Sequence, residues 1–459
     1  MSGIQKQNRS VLQAIDADHH VHPFTNTQEL NDIGSRVITR GAGAYVWDAQ
    51  GEKMIDAMAG LWCVNLGYSQ PDLVAAAHAQ LQELPYYNTF FRTTTPAATQ
   101  LSQALAAVTP ADLNHIFYAN SGSEAVDSMI RLVRFYWQLQ GSSKHILISR
   151  ENAYHGSTIA GMSLGGMGGM HKQGRPLLPG FAHISQPYWY GNAYDGESED
   201  DFGLRMAQKL EDKILELGPE LVAAFVGEPL QGAGGVIVPP KTYWPEIERI
   251  CRKYDILLVA DEVICGFGRT GRWFGCETFG FTPDIITMAK GLTSGYIPMS
   301  AIAMNDRVAD VLIEKGGEYL HGFTYSGHPV AAAVALKNIE IMQQSQLVNH
   351  VHDDIGVYFQ QKLRDTLADH PLVGHIEGVG LVAGFALVQH KEPKAFFPDD
   401  QDVGYICREH CFKNGIIMRA VGNRMVLSPP LIITKAQVDE ICTKALHCLD
   451  LTYADVRAC

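Results

Sequence analysis

Between residues 115 and 289 the chain alternates short apolar runs with amphipathic stretches, and that alternation limits its architecture more than any other feature. HIFYA (115–119), HILIS (145–149), LVAAFV (221–226), ILLVA (256–260) and DIITMA (284–289) read as strands. Each is too short for a buried helix, and each ends at small or polar residues. Strands alternating with helical stretches give an α/β fold with a mostly parallel sheet joined by crossover helices. Such open sheets bind ligands beyond the carboxyl ends of their strands. Function is therefore sought in the residues just after these runs.

Four strand ends carry chemistry. In ILLVADEVICGFGRTG an apolar strand runs straight into Asp261. Taking a lone carboxylate out of water costs several kcal/mol, so a cationic partner is expected beside it. DIITMAKGLTSGY delivers Lys290 into a glycine and serine loop. A free lysine has a pKa of about 10.4, so on the order of one in a thousand is neutral at pH 7. Burial would free that amine to act as a Schiff-base nucleophile, although a strand-end lysine can also be merely solvated. HIFYANSGSEAVDSMIRLVRFYW breaks at Asn120 and enters an amphipathic helix through Ser121, Gly122 and Ser123. Free amides and hydroxyls at such a helix start suit a phosphate dianion, and equally a plain cap. LVAAFVGEPLQGAGG sets Glu228 and Gln231 at the same sheet edge. An amine, an anion cradle and a buried carboxylate together match the aldehyde, phosphate and ring nitrogen of pyridoxal phosphate. A protonated pyridine nitrogen would offset the burial of Asp261, and the carboxylate would hold that nitrogen cationic.

Composition narrows the class further. With 459 residues, 46% of them hydrophobic, the chain can bury a large core. Its 36 basic and 49 acidic residues leave a formal charge of −13, which argues against nucleic acid or an anionic membrane as partner. Nine scattered cysteines fit a reducing compartment rather than a disulfide framework. Cys407, His410 and Cys411 read as one packed helix, and no metal site is expected. The N-terminus lacks the apolar region of a signal peptide and no run reaches the roughly 18 apolar residues of a membrane span, so a soluble cytoplasmic protein is expected. AYVWDAQGEKMIDAMAG reads as a hairpin turning at Gln50–Gly51, and GGMGGM (165–170) as a flexible loop. The tail carries GVGLVAGFALV and NGIIMRAVGNRMVLSPP. Residues 1–75 and 336–459 are expected to form a smaller α/β domain beside a large cofactor-binding domain at 76–335.

HPF (22–24), SGSEA (121–125), YHGS (154–157), EPLQGAGG (228–235), DEVICGFGRTG (261–271), AKGL (289–292), FTYSGHP (323–329) and IIMRAVG (416–422) follow one another along nearly the whole chain. In that order, with Asp261 and Lys290 29 residues apart, they resemble the class III (ω-type) aminotransferases of fold type I. The likeness is strongest to the pyruvate-dependent ω-amine and putrescine–pyruvate enzymes. It implies pyridoxal phosphate as cofactor, with Lys290 as nucleophile and proton carrier and Asp261 on the ring nitrogen. Tyr154 would stack on one ring face and Val263 pack on the other, on the same side of a strand as Asp261. Ser121, Gly122 and Ser123 would hold the phosphate, and Thr324 would reach it from the neighbouring subunit of a homodimer, with tetramers left open.

Relatives acting on 4-aminobutyrate or ornithine carry glutamine where this chain has Ile264, which favours the amine–pyruvate branch and leaves cofactor tuning to Gln231 or Glu228. Trp62, Phe24, Phe90, Phe91 and Tyr154 would line the substrate compartments. Arg419 would clamp a substrate carboxylate in bidentate fashion, or else pair with Glu228. The implied reaction is ping-pong: an amine donor (ω-amine, diamine, arylalkylamine or ω-amino acid) loses its amino group and pyruvate collects it as alanine. A decarboxylating aminotransferase and a nucleotide-binding Rossmann-like protein stand as alternatives; the second lacks a G-x-G-x-x-G between an early strand and a helix.

Overall fold

The computed structural model describes residues 10–110 and 112–458. Its centre is a seven-stranded sheet. Labelling only the strands of this sheet, β1 is His115–Ala119, β2 Ile146–Arg150, β3 Phe181–Ile184, β4 Val222–Gly227, β5 Leu257–Asp261, β6 Ile285–Met288 and β7 Ser300–Met304. Their spatial order is β1-β7-β6-β5-β4-β2-β3. All neighbours are parallel except β7, which runs antiparallel to both β1 and β6. The five strands read from the sequence are all present. The two others, FAHI and SAIAM, are half-buried or rich in alanine and serine, and lack the branched apolar run that marked the rest.

Because neighbouring side chains on a strand point to opposite faces, β5 divides its residues between two cores. Leu257 and Val259 join the cluster formed with Val126, Met129 and Val133 of the helix Gly122–Leu139. Leu258 and Ala260 join the larger cluster containing Trp244 and Ile247 of the helix Tyr243–Lys253. Continuing the alternation puts Asp261 on the side of Leu257 and Val259, beneath the N-terminal end of the helix Gly122–Leu139.

The smaller domain draws on both chain ends. Ile38–Ala42, Tyr45–Asp48 and Lys53–Asp56 form an antiparallel meander. The expected hairpin turn is there: Gly51 N–H donates to the Asp48 carbonyl at 3.1 Å, with Gly51 at φ +86. Ile416–Ile417 joins the meander from the C-terminal part, pairing parallel with Ile55 and Asp56. A second sheet holds Val373–Val379, Val382–His390, Arg424–Leu427 and Arg419–Val421 in that spatial order. The helix Val403–Lys413 buries Cys407 and Cys411, as expected.

GGMGGM is not a flexible loop. Gly165 caps the helix Ile159–Leu164, and Gly168 begins the helix Gly168–Gln173. Gly166 lies so close to the end of β2 that an added Cβ would fall 2.2 Å from the Arg150 carbonyl oxygen, which explains a glycine there. No helix among the described residues is long and apolar enough to cross a membrane.

Candidate active site

The strand ends converge as expected. Asp261, the last residue of β5, is 4% exposed. Its Oδ1 accepts from Thr287 Oγ1 on β6 at 3.1 Å and from the Val263 amide at 3.2 Å. Its Oδ2 lies 2.7 Å from Nδ1 of His155. No lysine or arginine nitrogen lies within 4.0 Å of this carboxylate among the described residues. The strand stops at Asp261, so Val263 sits in the following turn and not on the strand's continuation. The amide it donates back to Asp261 closes that turn and still brings Val263 to the same cavity.

Lys290 follows β6 in a left-handed backbone conformation, φ +47, that a non-glycine residue holds only when its surroundings enforce it. Burial pushes its ammonium pKa down and Arg419 adds to that, while Asp261 and Glu228 act in the opposite direction. Its Nζ lies 5.5 Å from the centre of the Trp62 ring.

The helix Gly122–Leu139 presents its first turn to the same space. The Ser121 hydroxyl is engaged in capping, accepting from the Glu124 amide at 3.2 Å, and Ser121 does not line the cavity. Gly122 and Ser123 do line it, and their amides have no acceptor among the described residues. The Tyr154–His155–Gly156 turn is pressed against this helix start: an added Cβ on Gly156 (φ +109) would lie 2.8 Å from Ser123 Cα. The Ser157 amide donates to Ser123 Oγ at 3.0 Å, which ties the turn in place.

Gly122, Ser123, Tyr154, Glu228, Asp261 and Lys290, with His155, Val263 and Ile264, thus enclose one cavity of about 130 Å³. Its donor set fits pyridoxal phosphate: among the described residues, an amine without a hydrogen-bond partner, a buried carboxylate with no lysine or arginine beside it, and two free amides at a helix N-terminus. His155 was not singled out from the sequence. Its signal lay in the YHGS stretch, and its far nitrogen, Nε2, is buried with no partner among the described residues.

Other expected residues lie around or away from this cavity. Glu228 is buried and its pKa is raised by that burial; it accepts from the amides of Tyr154 at 3.2 Å and Gly232 at 2.9 Å. It is therefore not the partner of Arg419. Gln231 points elsewhere, donating through Nε2 to the Glu151 carbonyl at 2.9 Å. Arg419 opens the strand Arg419–Val421 with its guanidinium 4.9 Å from the Trp62 ring centre, and no carboxylate lies within 4.0 Å of it among the described residues. Trp62 is 2% exposed and its Nε1 has no partner among the described residues. The turn presenting it is held by Asp56, which accepts from the amides of Met58 at 2.8 Å and Gly60 at 2.6 Å. Phe24 meets Tyr154 edge to face at 6.2 Å.

Phe90 and Thr324 are not brought to Lys290 within one chain. Phe90 lines a separate surface cavity with Gly322 and Tyr319, and Phe91 beside it is 88% exposed. Thr324 is exposed, and its carbonyl accepts from Tyr86 OH at 2.7 Å.

The profile of the class-III aminotransferase family matches residues 27–449. The chain belongs to the class-III aminotransferases. It is 55% identical over 447 residues to a putrescine–pyruvate aminotransferase of Pseudomonas aeruginosa, covering 97% of each chain. It is 42% identical over 424 residues to the mitochondrial gamma-aminobutyrate transaminase 1 of rice (Oryza sativa subsp. japonica), covering 91% of this chain and 82% of that one. The structure superposes on an omega transaminase from Pseudomonas jessenii in complex with PMP with a TM-score of 0.94 at 43% identity, covering 96% and 98% of the two chains. An (S)-enantioselective omega-transaminase from Thermomicrobium roseum gives 0.93 at 40% identity, with coverage of 96% and 98%. The class-III chain thus has the fold type I architecture, a mostly parallel sheet with a smaller α/β domain built from both ends.

Proposed function

We propose that this aminotransferase takes an amino group from a primary amine, with a terminal diamine such as putrescine foremost, and gives it to pyruvate. The observation that carries the reading is the meeting of Lys290 and Asp261 at one cavity whose walls include Tyr154 and Val263. Pyridoxal phosphate, when bound, supplies an aldehyde to carry the amino group and a cationic ring to accept electrons from the substrate carbon.

The chain's own residues supply the rest. Asp261, fixed by His155 and Thr287, holds the proton on the ring nitrogen. The free amides of Gly122 and Ser123 receive the phosphate, helped by the helix dipole. Tyr154 and Val263, which both line the cavity, would confine a ring bound there. Lys290, whose ammonium is destabilised by burial, is eased toward the neutral amine that would carry a proton to and from the substrate carbon. Ile264 offers no hydrogen bond to the ring, which fits the amine–pyruvate branch. Arg419, stacked on Trp62 and without an acidic partner, is free to meet the carboxylate of pyruvate through a bidentate contact. A diamine has no carboxylate, so the guanidinium can then remain against Trp62.

The reading makes the enzyme a cytoplasmic homodimer. Neither Phe90 nor Thr324 lines this chain's Lys290 cavity, and Thr324 is exposed, which supports their serving a second subunit. It also divides the chain into a large cofactor-binding domain at 76–335 and a small domain of 1–75 with 336–459.

A panel of donors with pyruvate as fixed acceptor, followed as alanine formed, tests the proposal. Diamines and ω-amines should give the highest kcat/KM. Preference for an α-amino acid donor, or carbon dioxide release in step with alanine, would contradict it.

A further inference from the structure

Away from the cofactor cavity, the helix Val11–His19 ends in the stretch DADHHVH (16–22). Asp16 and His20 are four residues apart, which sets them on one face of the helix and its C-cap. At His20 the backbone becomes extended (φ −118, ψ 123), and two residues later His22 returns over the same carboxylate. Nδ1 of His20 lies 3.1 Å from Oδ1 of Asp16, and Nε2 of His22 lies 2.9 Å from each carboxylate oxygen. The two imidazole rings are tilted by 39° with centroids 4.1 Å apart. One donor atom from each of the three residues lies within 4.8 Å of the other two.

We propose that Asp16, His20 and His22 form a site for a divalent ion of the zinc class. Two imidazoles and one carboxylate suit zinc, cobalt, nickel or copper, whereas magnesium and calcium call for oxygen ligands. Ligands at about 2.0–2.1 Å from a tetrahedral zinc stand about 3.3 Å from one another. The contacts of 2.9 and 3.1 Å therefore need to open by only a few tenths of an ångström. Three protein ligands leave a fourth position for water, and His20, with 61% of its side chain exposed, keeps that position open to solvent.

The protonation chemistry also fits. Among the described residues Asp16 has no lysine or arginine within 4.0 Å, and the groups facing its carboxylate are the Ser35 hydroxyl and two rings that can ligate. The opposite nitrogens, Nε2 of His20 and Nδ1 of His22, make no protein hydrogen bond among the described residues. On metal binding a neutral ring's proton moves to that nitrogen, and a cationic ring releases one proton to solvent. The ion would join the end of the helix to the segment that continues through Pro23 to Phe24, and Phe24 meets Tyr154 at 6.2 Å. This differs from the sequence expectation of no metal, which weighed only cysteine-rich patterns.

The test uses the pyridoxal phosphate-loaded enzyme, stripped with a chelator and dialysed against zinc, with bound metal counted per chain and cobalt as a spectroscopic probe. One ion per chain is expected. His20→Ala and His22→Ala should each weaken binding by more than the roughly 10- to 100-fold that loss of an outer partner costs. The variant carrying Asp16→Asn, His20→Ala and His22→Ala should hold no ion there, while its cofactor absorbance stays that of the parent, which shows that it is folded. No ion in the parent, or equal stoichiometry and affinity in the triple variant, would overturn the proposal.

Discussion

Nδ1 of His155 sits 2.7 Å from Oδ2 of Asp261, both side chains are buried, and the far side of the imidazole has no partner among the described residues. The ring therefore orients one carboxylate oxygen while Thr287 and the Val263 amide hold the other. His155→Phe removes one hydrogen bond to a charged group, a contribution of about 1.5–3 kcal/mol. The dissociation constant of pyridoxal phosphate, measured by absorbance titration of the apoenzyme, should rise about 10- to 100-fold.

Asp261→Asn preserves the shape of the side chain and removes its charge. Without a carboxylate the ring nitrogen loses the group that keeps it protonated, and kcat should fall about 10²- to 10³-fold, the usual size for one preorganised electrostatic contact. Single-turnover kinetics of the amine half-reaction measure this directly. The substrate KM values should change much less, because Asp261 would meet the cofactor rather than the substrate.

Arg419→Ala separates the two substrates. Loss of a bidentate contact to a carboxylate should raise the pyruvate KM by about 10- to 100-fold. The KM of putrescine, which has no carboxylate, should stay within about threefold of the parent. Steady-state kinetics with each substrate varied in turn checks the split.

Glu211 provides a pH test of stability distant from the chemistry. Hydrogen bonds from Lys253 and Tyr254 hold its carboxyl down at about 2, well below the ordinary 4.5 of a glutamate. A depressed folded-state pKa stabilises above the unfolded value and is lost as pH falls through the folded one. Glu211→Gln should lower unfolding free energy by about 1 kcal/mol at pH 7, a modest figure because half-exposed Lys253 is screened by solvent. The difference should shrink between pH 4.5 and about 2, as read by urea unfolding at a series of pH values.

The site was readable in the sequence where the covalent pattern itself fixes position. A strand end delivers its next residue to the sheet edge, so Asp261, Lys290 and the Gly122–Ser123 turn could be placed by counting. Asp56 shows the limit of that rule. It also ends an apolar strand, yet its carboxylate is satisfied by Met58, Gly60 and Tyr68 within the turn that presents Trp62. Contacts set by side-chain direction were not legible: Gln231 turns to Glu151, and His155 reaches Asp261 across 106 residues. Among strands, Ser300–Met304 has alanines and a serine in place of a branched apolar run, so its sequence does not mark it, although its antiparallel pairing closes the sheet between β1 and β6.

Everything in the reaction depends on Lys290 being the lysine that holds the cofactor. Borohydride reduction of the pyridoxal phosphate-loaded enzyme, followed by proteolysis and mass spectrometry, tests it without relying on turnover. A phosphopyridoxyl mass on the peptide containing Lys290, absent from Lys290→Ala, is the predicted result. The same label on a different lysine, or no label on a fully loaded enzyme, would contradict the account.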